Sequence, residues 1–232
     1  MTLFPRTLRG RFLIALLSLA AVTATAGTIT GRVQARGADQ AAGGGGEGGS
    51  YKSRRYKFLE KIDYASLRDF VVHIEQVDLP ASADQPPRTK VTQIDGAFEP
   101  HVLPIVAGTV VEWPNADDVF HNVFCMSEST PFDLGLYKRG DDAKSVVFPK
   151  PGRMEVFCSI HTKMNCIVLV LPNPWFARTT DDGRYTIPDV PAGTYKLRAW
   201  HERLPSKSKE IVVPATGEIR VDFMLGLGAV AD

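Results

Sequence analysis

The central part of the chain, residues 90–171, is a series of short segments in which apolar and polar residues alternate. Residues 109–113, 144–148 and 154–158 show this pattern, and Gly, Pro, Asn and Asp separate the segments. Alternation with a period of two predicts β-strands, and no amphipathic helix pattern lies between them. The region is therefore predicted to form a β-sandwich or barrel of the Greek-key type.

The same alternation continues on both sides of this region. It occurs before the region at 27–33 and 70–77. After the Pro-Asn-Pro break at 172–174 it returns in four further segments, at 184–187, 194–200, 210–213 and 218–224. The chain as a whole is therefore predicted to be all-β. Within it, residues 167–171 are apolar at every position, which predicts a strand with both faces covered.

Composition excludes one large class of function. The sequence has 232 residues, of which 44% are apolar and 23% charged, as in an ordinary globular protein. Lys and Arg total 27 against 26 for Asp and Glu. The positive charge is not in excess, so the composition does not indicate nucleic acid as a partner.

Residues 1–26 have the pattern of a secretory signal peptide: basic residues, an apolar run at 12–22 and a small-residue site at 24–26. The apolar run is shorter than the ~20 residues needed to span a bilayer. We expect cleavage after Ala26 and export to the periplasm, with no membrane segment left in the product. An uncleaved anchor is the alternative.

Four residues in the central region carry a possible metal site. Cys158, His161 and Met164 follow one strand at a C-x2-H-x2-M spacing, and His121 begins another strand upstream. One thiolate and two imidazoles with a weak thioether are the ligands of a blue-copper electron-transfer site. Zinc is the competitor, but structural zinc prefers several thiolates and does not recruit a thioether. We therefore predict one copper ion held by His121, Cys158, His161 and Met164.

Two further cysteines, Cys125 and Cys166, lie near the same end of the predicted sandwich. In an exported protein thiols tend to be paired. Strand alternation points both side chains in the same direction as a predicted ligand. A disulfide between them and two buried thiols are both open from the sequence.

The segments 107–115, 121–123 and 158–164 resemble those of the cupredoxins, the small blue-copper proteins such as amicyanin and plastocyanin. The resemblance covers residues 90–171, and the short gap between His161 and Met164 is similar to the ligand loop of amicyanin. It implies that the four predicted ligands bind copper and that Asn122 connects the two ligand segments by hydrogen bonds. It also implies electron exchange at the edge of His161, within an apolar patch for which Ile160 and Phe132 are the candidates.

The flanking segments resemble a different family, the carboxypeptidase regulatory-like or transthyretin-like β-sandwich. The resemblance implies that a cupredoxin sandwich is inserted into, or followed by, this second sandwich, as in exported proteins labelled methylamine-utilisation proteins. The expected division is a signal peptide at 1–26, first strands at 27–79, the cupredoxin domain at 90–171 and the remaining strands at 175–226. A Gly-rich and basic insertion at 37–61 is expected to be flexible.

These observations favour a periplasmic one-electron carrier over an enzyme. The sequence contains no His-x-His pair of the kind that multicopper oxidases use. The expected partners are redox proteins that dock near His161, and the expected state is a monomer. A copper-delivery module and a non-catalytic interaction module are the alternatives.

Overall fold

The computed structural model describes residues 26–37, 62–75, 77 and 86–226. The described residues form eighteen strands and no helix, which confirms the all-β prediction. None of this described part could cross a bilayer as a helix. The expected signal peptide falls almost wholly outside these residues, and so does most of the insertion expected at 37–61.

The strands fall into three groups along the chain. The first two are β1 (Ala26–Ala35) and β2 (Val71–Ile74). Ten strands follow: β3 (Arg88–Lys90), β4 (Thr92–Ile94), β5 (Ala97–Glu99), β6 (Val102–Val106), β7 (Thr109–Trp113), β8 (His121–Cys125), β9 (Phe132–Tyr137), β10 (Lys144–Phe148), β11 (Gly152–Phe157) and β12 (Asn165–Leu171). Six strands end the described chain: β13 (Phe176–Arg178), β14 (Arg184–Pro191), β15 (Gly193–His201), β16 (Leu204–Val213), β17 (Glu218–Arg220) and β18 (Phe223–Leu225).

The ten middle strands form the first sandwich. One sheet has the order β6-β12-β11-β8-β9 and the other has the order β10-β7-β3, while β4 and β5 form a hairpin. Inward-facing side chains of both sheets fill one core, with Trp113 and Phe148 fully buried at its centre. β8 and β11 are antiparallel neighbours in the five-stranded sheet, and their register pairs the end of β8 with the end of β11. The start of β8 therefore continues past β11, beside the residues that follow it.

Strands from both ends of the chain form the second sandwich. β1 pairs with β14, β17 and β18, and a second sheet has the order β13-β2-β15-β16. Their inner faces share a separate core that includes Ile29, Ile74 and Leu197. The chain thus leaves this sandwich after β2 and re-enters it at β13. The domain boundaries expected from the sequence stay a prediction.

β12 lies between the two sandwiches. Its residues Val168 and Val170 face the core of the first sandwich, whereas Ile167, Leu169 and Leu171 pack in a third cluster with Val71 and Trp200 of the second. The prediction that both faces of this strand are covered is therefore confirmed. Side chains of a strand point alternately to its two faces. Because all of these are apolar in 167–171, each face can pack in a different core.

Two polar contacts accompany this apolar interface. The guanidinium of Arg153 lies 5.9 Å from the centre of the Trp200 ring. His101, which precedes β6, places Nε2 3.0 Å from Oε2 of Glu202 in the turn between β15 and β16. The hydrogen bond with Glu202 raises the pKa of His101, although burial opposes it. The same hydrogen bond lowers the pKa of Glu202.

This ion pair predicts a pH-dependent contribution to stability. Since the pKa of His101 is higher in the folded state, its stabilising effect is complete below the unfolded pKa and is lost as pH rises through the folded pKa. Both side chains are partly exposed, so we expect only about 0.5 kcal/mol. Denaturant unfolding at pH 6 and pH 9 should show this difference in wild type and not in Glu202→Gln. An equal pH dependence in both proteins would contradict the prediction.

Candidate metal centre

Three side chains from two neighbouring strand ends meet at one edge of the first sandwich. His121 is the first residue of β8, Cys158 follows β11, and His161 lies in the loop that leads to β12. The Nδ1 atoms of the two histidines are 2.9 Å apart. The Cys158 sulfur lies 4.0 Å from Nδ1 of His121 and 3.7 Å from Nδ1 of His161. Among the described residues, this is the one cluster of His, Cys, Asp and Glu that could hold a metal ion.

The triangle of donor atoms has the dimensions of a metal site. The point equidistant from the three atoms lies about 2.1 Å from each, close to the ~2.0–2.1 Å and ~2.3 Å at which zinc binds nitrogen and sulfur. Nitrogen and sulfur donors in this combination suit copper, zinc and iron, and exclude hard cations such as Mg²⁺. The three residues therefore fit a single transition-metal ion.

Burial differs across the three donors. His121 and Cys158 are buried, whereas His161 is exposed. An ion held between them would be shielded on the side of the protein core. On the other side it would border the exposed His161 ring.

Met164, the fourth predicted ligand, is held beside this triangle by its backbone. It is buried in the core of the first sandwich. Its N–H donates to the carbonyl of His161 at 2.9 Å, and its carbonyl accepts from the N–H of Cys158 at 3.1 Å. These two bonds close the loop 158–164, which we call the metal loop. The role of the Met164 sulfur as a ligand stays a prediction, and so does the four-residue ligand set.

Asn122 connects the two ligand segments, as the cupredoxin resemblance implied. Its side-chain oxygen accepts a hydrogen bond of 2.7 Å from the N–H of Ser159, directly after Cys158. Its amide nitrogen donates to Asp133 on β9 at 3.0 Å. The metal loop is therefore tied to β8, and β8 is tied in turn to β9.

Asp117 is a site residue that sequence analysis missed. Its Oδ2 lies 2.8 Å from Nε2 of His121, the ring nitrogen that faces away from the cluster. Such a carboxylate orients the imidazole and makes its other nitrogen a better metal donor. The available signal was an acidic residue four positions before a predicted ligand, but exposed loop acids are common.

The charge of Asp117 is stabilised by its surroundings. Partial burial would raise the pKa of this carboxyl group, but hydrogen bonds from the N–H groups of Gly96 and Asp95 and from His121 outweigh burial and lower the pKa. Asp117 therefore stays ionised and can only accept a hydrogen bond, which Nε2 of His121 donates. The other ring nitrogen, Nδ1, faces Cys158 and His161.

The exposed apolar surface around His161 differs in part from the prediction. Ile160 is 50% exposed, as expected of a surface patch. Phe132 was wrongly predicted, because its ring turns into the core and packs against Trp113 and Phe148. Val119 and Phe120, which precede His121, are 53% and 48% exposed. We call Val119, Phe120 and Ile160 the apolar patch.

Cys125 and Cys166 do not form a disulfide. Both lie opposite Val156, one on β8 and the other on β12, so a whole strand separates them. Strands are ~4.8 Å apart, which puts the two Cα atoms about 10 Å apart, beyond the ~7 Å limit for a disulfide. Both are buried thiols, the other possibility left open by the sequence. Burial, and next the neighbouring Cys125, raises the pKa of Cys166.

Comparisons with known proteins add the following similarities. A purple cupredoxin from Nitrosopumilus maritimus is 25% identical over 36% of this chain and 99% of its own, with a TM-score of 0.32. A copper-containing nitrite reductase from Thermus scotoductus is 30% identical over 42% of this chain and 25% of its own, with a TM-score of 0.36. Amicyanin from Paracoccus versutus is 20% identical over 43% of this chain and 97% of its own, with a TM-score of 0.33. With TM-scores this low, these similarities do not by themselves assign a function.

The second sandwich is similar to a different family from the one expected. Residues 175–221 match the family model described as polysaccharide lyase family 4, domain II, an fn3-like family. The transthyretin-like resemblance is therefore not supported, and neither is the methylamine-utilisation label. Short alternating strands joined by Asp-Gly turns are common to many sandwich families, so this pattern could not separate them. No curated protein sequence matches the chain significantly.

Asp117 provides a test of the metal centre. We expect Asp117→Ala to lower copper affinity 10–100-fold, the usual effect of removing a carboxylate that orients a ligating histidine. A competition titration with a copper chelator measures this. The matched control is Asp118→Ala, because Asp118 is 80% exposed and pairs with Arg139. Equal affinities in the Asp117 and Asp118 variants would contradict the assigned role.

Proposed function

We propose that this chain is a type 1 copper protein that carries single electrons between redox partners outside the cytoplasm. The observation that supports the proposal is the cluster of one buried thiol, one buried imidazole and one exposed imidazole around a common point. A bound copper ion would supply a one-electron couple between Cu(II) and Cu(I). The ligands would be His121, Cys158, His161 and Met164, with one ion per chain.

The protein's own contribution would be to keep these donors in place in both oxidation states. His121 lies on β8, and Asp117 forms a hydrogen bond with its Nε2 atom, which faces away from the cluster. Cys158 follows a strand, and the loop after it is fixed by Asn122 and by the backbone bonds of Met164. Because each donor is held by a hydrogen bond or a strand, little has to move when an electron arrives or leaves.

The route for electrons would be the exposed edge of His161. The apolar patch consists of side chains about half exposed that come just before His121 and His161 in the sequence. Patches of this kind mark sites of protein contact, and apolar contact brings a partner close without costly desolvation of charges. We propose redox proteins as the partners and docking at this patch, with the chain acting as a monomer.

The remaining parts of the proposal concern location and reaction type. The pattern of residues 1–26 supports export to the periplasm. A single cluster of metal-binding side chains among the described residues supports a carrier that transforms no substrate itself. Binding of nucleic acid or of a membrane by the exported chain is not proposed.

The copper-loaded protein should show an intense visible thiolate-to-copper absorption band that bleaches on reduction. We expect Cys158→Ser to abolish this band, because the charge-transfer donor is the sulfur. Absorption and paramagnetic resonance spectra measure it. Cys125→Ala is the matched control, since it removes another buried thiol of the same core and should leave the band. A colourless wild-type protein with loosely held copper would contradict the proposal.

Met164 should tune the reduction potential. We expect Met164→Leu to retain copper and to raise the potential, because a weak axial donor is lost. Voltammetry of the copper-loaded variants measures the shift. Met154→Leu changes another buried methionine of the same core and should leave the potential close to that of wild type. Identical potentials in wild type and Met164→Leu would show that Met164 is not a ligand.

A further inference from the structure

We propose that Glu202 and His101 are positioning residues through which the second sandwich holds the metal loop. The chain of contacts runs from the Glu202 carboxylate to the His101 ring and on to the backbone of Asn165, the residue after Met164. We call these three groups the His101 relay. The inference rests on the proposed copper site, since Met164 is its axial ligand there.

The His101 ring contacts a different sandwich at each nitrogen. Nδ1 lies 3.2 Å from the carbonyl oxygen of Asn165, and Nε2 lies 3.0 Å from Oε2 of Glu202. Both partners can only accept hydrogen bonds, so the ring makes both bonds only when both nitrogens carry protons. The relay is therefore a cationic bridge between a carboxylate of the second sandwich and a carbonyl of the first.

The relay extends the pairing of β12 toward the metal loop. The parallel ladder between β6 and β12 begins at Val102 and Ile167. Before it, the carbonyl of His101 accepts from the N–H of Ile167 at 2.8 Å, and the ring of His101 reaches Asn165. On the opposite edge, Cys158 bonds the carbonyl of Met164. The backbone next to Met164 is thus held from both edges, and the ring contact at Asn165 depends on Glu202.

The surroundings of the relay strengthen its bonds. The side chains of His101 and Glu202 are 34% and 26% exposed. The charged and titratable groups close enough to act on them are Asp69, Arg153 and His201. Of these three only Asp69 is acidic, and like Glu202 it favours a cationic His101.

Loss of the relay should leave Asn165 held from the β11 edge only, while the backbone bond between Ile167 and His101 remains. Met164 could then move away from the other donors, and a weaker axial contact raises the potential of a blue-copper site. The shift should have the same sign as that of Met164→Leu and should be smaller, because the thioether is still present.

Four variants test the relay. Glu202→Ala and His101→Leu each break it, Glu202→Gln preserves it, and Arg153→Gln removes another contact across the same interface. The Gln amide can donate to Nε2 of a neutral His101, so Nδ1–H still reaches Asn165. The two readouts are the reduction potential of the copper-loaded protein and amide hydrogen exchange of residues 159–167 in the metal-free protein.

We expect Glu202→Ala and His101→Leu to raise the potential and to speed exchange of this segment several-fold, with wild-type behaviour in Glu202→Gln and Arg153→Gln. Folded Glu202→Ala protein with unchanged potential and exchange would overturn the relay. An equal effect of Arg153→Gln would also overturn it, because general loosening of the interface would then be the cause. If wild type shows no blue band, the proposed function fails, while exchange in the metal-free protein still tests the relay.

Discussion

The antiparallel pairing of β8 with β11 is the constraint on which the candidate site depends. His121 begins one of these strands and Cys158 follows the other, so the pairing brings together two residues that are far apart in the sequence. The main-chain ladder is formed by the fold itself and requires no metal. Donor atoms held in this way can impose a geometry on an ion, whereas donors on a mobile loop would follow the preference of the ion.

Polar side chains next to the donors also hold them in place, through hydrogen bonds. Asp117 holds His121, and Asp133 holds Asn122, which in turn holds the residue after Cys158. His121 and the residue after Cys158 are therefore each held by a hydrogen bond from another part of the chain. Such support would keep the donors in place during the proposed electron exchange. Removing the supporting residues would lower metal affinity even with the ligands themselves unchanged.

The second sandwich contributes to this arrangement through a shared strand. β12 buries alternate residues in two different cores, so neither face of the strand that leaves the metal loop is exposed to water over most of its length. A strand packed on both sides resists sliding and twisting. The second sandwich is thus positioned to stiffen the site, beyond any binding role of its own.

The residue pattern alone determined the all-β class, many of the strands, the two-sided burial of 167–171 and the set of metal-binding residue types. Each of these depends on local periodicity or on residue spacing along the chain. Tertiary structure decided which strands are neighbours: it separates Cys125 from Cys166 by β11, turns Phe132 into the core, and brings Glu202 to His101. The alternation of apolar and polar residues predicts which face of a strand a side chain occupies. The order of the strands in a sheet depends on the packing of the whole chain. For that reason the supporting residues Asp117, His101 and Glu202 were visible only in the folded protein, whereas the donors and Asn122 were predicted.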